Sequence, residues 1–409
     1  MSTYARVAAV NFFNFFVYAA WFTTLGLVLS KHGMGSEIGN AYSIGPVAAL
    51  CTPFLMGYLI DRFFSAERVL AVLHLLGSVL LAFIPTFITH RSTAGLLGTL
   101  FIYLLLYMPT QSLINNITFG HLKNKNSYPY IRLFANIGWI IPGLVVGQLG
   151  LSDNPAIFYV ASVAALIVGV LSFTLPRNAP TKERALHGPM HTLKAAADLL
   201  KNRQFLALLV SMTLISVPLS FYYAFTSTFA DSVGFQNVGT VMTVGQLSEL
   251  LAIACIPFLV TKIGYKWMIL AGIGASVVRY ALFSIGALPP SPPTVFTAIA
   301  IHGLCYDFLF VTTYLFAEKS AGEASKGQAQ GLVVFFTLGV GMLIGAQAAG
   351  HLYASVLPAG ATALGPAQWA EFWRFPAVIA IITGLVFFVG FKGRTSDTTV
   401  SKLSDQASI

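Results

Sequence analysis

The sequence predicts an all-α membrane protein of twelve transmembrane helices, arranged as two related six-helix halves. Composition is the first observation behind this: the 409-residue chain is 56% hydrophobic and only 9% charged. A soluble domain, whose surface must be wetted, carries roughly 25% charged residues. Second, the apolar residues fall into long runs of the length that crosses ~30 Å of hydrocarbon. Third, short matches recur half a chain apart. Cys51-Thr-Pro-Phe-Leu55 pairs with Cys255-Ile-Pro-Phe-Leu259 at an offset of 204, and Phe16-Val-Tyr-Ala19 with Phe221-Tyr-Tyr-Ala224 at 205. Repeated halves around a midplane site are the usual plan of secondary transporters.

The first six spans are predicted at roughly 7–29, 38–60, 69–89, 95–120, 129–150 and 155–176. The second six fall at roughly 204–230, 238–261, 267–287, 294–317, 327–352 and 370–391. The first run is long enough to remain as a spanning helix rather than a cleaved signal. Between spans six and seven lies the longest charged connection, from Arg177 to Arg203, with Pro176, Pro180 and Pro189 and a helical stretch from His191 to Leu200. The chain therefore divides into a first bundle at 1–176, a cytoplasmic linker at 177–203, a second bundle at 204–392 and a cytoplasmic tail at 393–409.

Basic residues set the expected orientation. With both termini cytoplasmic, that side holds Arg6, Arg62, Arg68, Lys123, Lys125 and most of the other loop cations, while the opposite side has only Lys31 and Arg91. This follows the positive-inside rule and points to a multi-pass protein of the cell membrane, the bacterial inner membrane.

Several function classes fall away. The net charge of +9 is spread over short loops, with no basic stripe or aromatic-basic module for nucleic acid. Cys51, Cys255 and Cys305 all lie in apolar runs without pairing or metal-ligand spacing. No nucleophile elbow, phosphate-cradling loop or paired catalytic carboxylates appear, so neither an enzyme nor an ATP-driven pump is expected, and no metal or cofactor.

Ionisable groups inside spans carry the most information, because burying a charge costs several kcal/mol unless it is paired or wetted. Of 14 acidic residues, only Glu249 and Asp307 fall near mid-span, in spans eight and ten. Arg279, midway along span nine, is a charge partner for either. Burial disfavours a carboxylate and a nearby arginine favours it, so such a group can exchange its proton as its surroundings open. Glu249 and Asp307 are therefore the proton-coupling candidates, and a fixed structural ion pair is the competing reading. Arg132, Asn136 and Trp139 share one face of span five at i, i+4 and i+7. Ser216, Ser220, Tyr223 and Ser227 form a stripe on span seven. Gln246 precedes Glu249 by three residues, and His302 and Tyr306 stand one turn apart beside Asp307. Asn14, Tyr18 and Trp21 on span one, with Gln111, Asn115 and Thr118 on span four, complete the set. Small hydroxyl residues also glue helices together, which suits the serines, whereas Arg132, Gln246 and Trp139 suit a cavity. His302 reads equally as a proton relay or as a satisfied hydrogen-bonding residue. Amides, carboxylates and stacking aromatics together fit a small, polar, ring-containing solute.

Gly57-Tyr-Leu-Ile-Asp-Arg62 closes span two, where glycine allows close packing and the Asp61–Arg62 pair can lock neighbouring helices. It resembles, in reduced form, the loop motif of the major facilitator superfamily; the further basic residues of that motif are replaced by Phe63, Phe64 and Ser65. A narrower resemblance runs in unbroken order from span one to span ten. It includes Trp21-Phe-Thr-Thr-Leu-Gly26, Tyr107-Met-Pro-Thr110, Ile131-Arg-Leu-Phe-Ala-Asn-Ile-Gly138, Gln246-Leu-Ser-Glu249, Arg279-Tyr-Ala-Leu-Phe283 and Tyr306-Asp-Phe308. In these segments the chain resembles the nucleoside:proton symporters of that superfamily.

The resemblance implies the major facilitator fold, a rocker-switch cycle and nucleoside uptake driven by inward proton flow, with the lipid bilayer as the remaining partner of a monomer. It also implies that Arg132, Gln246, Glu249, Tyr306 and Asp307 line the substrate site. Span seven departs from the family, which offers a Gln and an Asn where this chain has Ser220 and Tyr223; a serine cannot reproduce the paired hydrogen bonds of an amide. His302 stands where a Tyr is expected. A proton-coupled symporter for a sugar, a sugar derivative or another small polar solute is accordingly the alternative, and a membrane-embedded enzyme or non-transporting receptor the more distant one.

Overall fold

The computed structural model describes residues 2–55, 65–122, 128–177, 197–321 and 325–392. Asp61 and Arg62, residues 178–196 of the central linker and the tail at 393–409 lie outside the described residues. Within them all regular structure is helical.

Twelve spans follow one another. The first half comprises α1 (Thr3–Lys31), α2 (Ile38–Leu55), α3 (Ala66–Thr89), α4 (Thr93–His121), α5 (Tyr128–Gln148) and α6 (Ile157–Phe173). The second comprises α7 (Arg203–Ser232), α8 (238–263), α9 (265–287), α10 (Pro292–Ser320), α11 (Lys326–Val356) and α12 (Pro366–Gly390). Helices α8 and α9 run as one rod until Gly264, whose φ of 77° only glycine adopts without strain, turns the chain.

The helices bury little through amphipathic stripes, as expected where lipid covers one side. Inside each half they pack through small residues and buried hydrogen bonds. In the first half α1 lies on α5 and α6, and α3 on α4 and α6. Ser78 and Ser162 exchange hydrogen bonds of 2.8 Å with each other's carbonyls across α3 and α6. In the second, α8 packs on α10, α9 on α12, and α7 on α11 and α12. Trp369 and Trp373 of α12 stack with ring centroids 6.2 Å apart, and Tyr280 of α9 donates to the Pro218 carbonyl at 2.6 Å. That carbonyl belongs to the proline inside α7.

Among the described residues the halves meet chiefly at α1 with α7, α2 with α11, and α5 with α8. Each pair meets through glycine near the end of the protein farther from the chain termini. Gly26 lies against the Ala224 backbone, Gly39 against Gly350, and Gly143 and Gly147 against Gly239 and Thr240. Polar contacts reinforce the closure. Lys31 pairs with Asp231 at 2.7 Å, and Gln347 Nε2 donates to Ser43 Oγ at 2.7 Å. The Gly239 N–H donates to Ser152 Oγ at 3.0 Å. The two halves are thus in close contact at the far end.

Two breaks in helices have structural causes. Helix α1 is interrupted at Thr23 and Thr24, and Tyr42 of α2 donates to the carbonyl of Phe22, a group a broken helix leaves without an internal partner. In α11, residues Phe335–Gly341 form a π-helical turn whose Gly341 lies against Ser216 of α7, a distortion that re-aims backbone carbonyls.

Candidate functional site

The contact between α8 and α10 organises the centre of the second half. Helix α10 is interrupted at Ile301, which frees the N–H of Gly303 to donate to Ser248 Oγ at 2.7 Å. Gly245 of α8 sits against the Cβ of His302, where an added β-carbon would come within 3.0 Å. Two glycines and a serine thus bring the backbone beside Glu249 close to the backbone beside His302.

A cavity of about 340 Å³ opens between the halves at this level. The first half contributes Phe15 of α1 and Arg132, Asn136 and Trp139 of α5. The second contributes Tyr223 of α7, Gln246 and Glu249 of α8, and Tyr306 and Asp307 of α10. Its walls continue toward the termini through Ile253 and Tyr314. Since α8 and α10 advance about 1.5 Å per residue, the seven residues from Gln246 to Ile253 carry it roughly 10 Å in that direction. The opposite direction is closed by aromatic rings: Phe22 lies 5.2 Å from Tyr223 and 6.1 Å from Trp139, centroid to centroid.

The cavity is polar where it is deepest. Asp307 is 1% exposed, and its Oδ2 has no hydrogen-bond partner among the described residues; the same holds for Oε1 of the buried Gln246. Buried acceptors are normally satisfied, so two of them in one cavity wall call for donors on a solute or on water. Arg132 is exposed and lies over the Phe15 ring at 5.1 Å, a cation held at the cavity mouth.

Behind this wall two buried groups, Arg279 and His302, form a line that ends on Glu249. Arg279 of α9, 1% exposed, stands over the Tyr222 ring at 4.3 Å and donates from Nε to the Ala298 carbonyl at 3.2 Å. Its Nη2 is 3.0 Å from His302 Nδ1. His302 Nε2 is 3.1 Å from Glu249 Oε1. Arg279 therefore reaches Glu249 through His302.

Eight of the ten residues that sequence reasoning assigned to substrate line this cavity together: Arg132, Asn136, Trp139, Tyr223, Gln246, Glu249, Tyr306 and Asp307. Two do not. Ser220 is 1% exposed and its hydroxyl donates to the Met342 carbonyl at 3.0 Å, so it ties α7 to α11 just beyond the π-helical turn. The face it shares with Ser216 meets Gly341 and Gly345 of α11. His302 lies one layer behind the wall. The polar residues of α1 and α4 largely serve the first bundle: Asn14 Oδ1 takes His74 Nε2 at 2.8 Å, and Asn11 Nδ2 donates to Thr118 Oγ1 at 3.0 Å. Sequence reasoning missed Phe15 and Tyr314. Tyr306, Phe310 and Tyr314 recur every four residues, a spacing that could have signalled Tyr314, whereas nothing distinguishes Phe15 among its neighbouring phenylalanines.

Comparison with known proteins places the chain in a family. Residues 1–396 match the family described as "Nucleoside H+ symporter". The putative nucleoside transporter YegT of Escherichia coli K12 is 33% identical, with 99% of this chain and 98% of that protein aligned. The xanthosine permease of the same organism is 27% identical over 96% of each chain. The crystal structure of the nucleoside transporter NupG superposes with a TM-score of 0.85 at 26% identity, covering 96% of this chain and all of that one.

Proposed function

Because the chain belongs to the nucleoside H+ symporter family, we propose that it imports nucleosides together with protons by alternating access. The twelve-helix fold in two halves is the major facilitator fold expected from the sequence, and the chain is a multi-pass membrane protein. The observation that carries the reading is the interfacial cavity. It offers two unpaired acceptors, Gln246 Oε1 and Asp307 Oδ2, beside the aromatic rings of Trp139, Tyr223 and Tyr306. A nucleoside supplies both what the acceptors need and what the rings bind, since it carries hydroxyl and N–H donors on a flat heterocycle.

In this reading Arg132, Asn136 and Trp139 hold the solute from the first half, and Tyr223, Gln246, Glu249, Tyr306 and Asp307 from the second. Asp307 and Glu249 are the groups that take up the coupled proton. The bundles 1–176 and 204–392 rock about the solute, and 177–203 links them. With both termini in the cytoplasm of a bacterial inner membrane, the glycine-lined closure faces outward and the cavity extends inward. Opening then requires α1, α2 and α5 to part from α7, α11 and α8. The protein acts as a monomer, because one chain supplies both halves of the cavity.

Calorimetric titration of the purified protein with uridine, adenosine and a hexose tests the choice of solute. Binding of a nucleoside and not of the hexose is the expected result; binding of the hexose alone would transfer the protein to the sugar reading.

A further inference from the structure

Arg279 has five N–H donors and no acceptor. Its Nη2, 3.0 Å from His302 Nδ1, can only donate, so Nδ1 must present its lone pair. The single ring proton then sits on Nε2 and points at Glu249 Oε1, 3.1 Å away. The hydrogen-bond network thus assigns the tautomer. A second proton would place an Nδ1–H against a guanidinium N–H. The other groups about the ring are uncharged phenols: Tyr222 stacks on it at 4.7 Å, Tyr306 at 5.8 Å, and Tyr223 meets it edge-on at 5.9 Å. Cys305 and Asp307 are its remaining titratable neighbours on α10.

We propose that His302 is a positioning residue for substrate recognition: as a fixed neutral imidazole it conveys the charge of Arg279 to Glu249, holding one carboxylate oxygen and presenting the other to the cavity. The proposal rests on the nucleoside reading above. His302 is 2% exposed and does not line the interfacial cavity, whereas the Glu249 side chain is 18% exposed and does. With Oε1 engaged, Oε2 is the oxygen left for a hydroxyl or ring N–H of the solute. A glutamate has three side-chain torsions to restrain, and a donor of fixed orientation removes that freedom before binding. Hydrogen bonds to a charged acceptor are the stronger kind, so in the steps of the cycle in which Glu249 is ionised its correctly placed oxygen discriminates among solutes by the position of their donors. His302 thereby acts on affinity without touching the solute and without exchanging a proton during the cycle.

The test compares wild type, His302→Phe and His302→Gln for uridine uptake in proteoliposomes. Phenylalanine keeps a ring against Tyr222 but has neither nitrogen. Glutamine supplies an acceptor for Arg279 and a donor for Glu249 yet cannot titrate. The expected result is a KM about tenfold higher for His302→Phe with Vmax little changed, and a KM within about threefold of wild type for His302→Gln. A second arm reads the ring directly by ¹⁵N NMR of histidine-labelled protein, with His302 identified by its loss in His302→Gln. The resonances should report an unprotonated Nδ1 and a protonated Nε2 across the pH range of transport. An unchanged KM for His302→Phe, equal impairment of the Gln and Phe variants, or a doubly protonated or Nδ1–H ring would each overturn the proposal. Absence of uridine uptake by wild type would instead refute the nucleoside reading, and the NMR arm would still decide the state of His302. Should His302→Phe fail to insert, His302→Gln and the spectra remain decisive.

Discussion

Gly39 of α2 and Gly350 of α11 meet backbone to backbone across the two halves, so that a β-carbon at position 39 would lie 2.7 Å from the Gly350 α-carbon. Neither backbone can give way as a flexible side chain would, and any larger residue must separate the helices. Gly39→Leu is therefore expected to favour the state open at the far end. The check is alkylation of a cysteine introduced at Ser232, beside Asp231, by a membrane-impermeant maleimide: labelling should accelerate in the Gly39→Leu background and uptake should fall.

The Lys31–Asp231 pair at the same end is half exposed, and exposed ion pairs contribute only about 0–1 kcal/mol. Lys31→Ala should speed the same labelling by a few-fold at most, with transport retained. A loss of transport as large as that of Gly39→Leu would show that the pair, rather than the glycine contacts, holds the closure.

Asp307→Asn keeps the shape of the side chain and removes its titration. It should abolish gradient-driven accumulation while leaving solute exchange across the membrane measurable, because exchange requires the site to reorient but not to change its proton. Accumulation against a gradient by this variant would contradict the coupling role of Asp307.

Gln246→Leu replaces an amide whose Oε1 is unpaired in the cavity wall. A hydrogen bond of this kind contributes about 1 kcal/mol, which corresponds to a several-fold rise in KM for nucleosides. Ser220→Ala, by contrast, removes a hydroxyl that bonds to the Met342 carbonyl and should leave KM unchanged, as uptake kinetics on the two variants side by side would show.

Arg279→Lys tests the buried cation. Lysine keeps the charge but lacks the planar fork with which Arg279 reaches the Ala298 carbonyl and His302 together. Loss of one such charged hydrogen bond costs about 2 kcal/mol, and the thermal unfolding midpoint in detergent should drop relative to wild type.

The spans were legible in the sequence to within about four residues at their described ends, because length and hydropathy are dictated by the thickness of the bilayer. The cavity was legible in part. Arg132, Asn136 and Trp139 share a face by helical spacing alone, and Gln246 with Glu249 likewise. Ser220 and Tyr223 share a stripe by the same spacing, yet Ser220 meets α11 and Tyr223 meets the cavity. Spacing marks a face but not what faces it, and the stretch of α11 at Met342 and Gly345 that receives Ser220 leaves no periodic signal. Arg279 was recognisable as a partner for a carboxyl, but the imidazole between it and Glu249 depends on the break in α10 at Ile301 and on Gly245, which only the packed helices reveal. The breaks in α1 at Thr23 and Thr24 were equally silent within a continuous apolar run.

The most direct test of proton-coupled nucleoside import is the uptake of labelled uridine and adenosine into proteoliposomes, with and without an inward proton gradient. The account predicts concentrative uptake that the gradient stimulates and that a protonophore abolishes. Nucleoside uptake indifferent to the gradient would contradict the coupling to protons, and no nucleoside uptake under either condition would contradict the account as a whole.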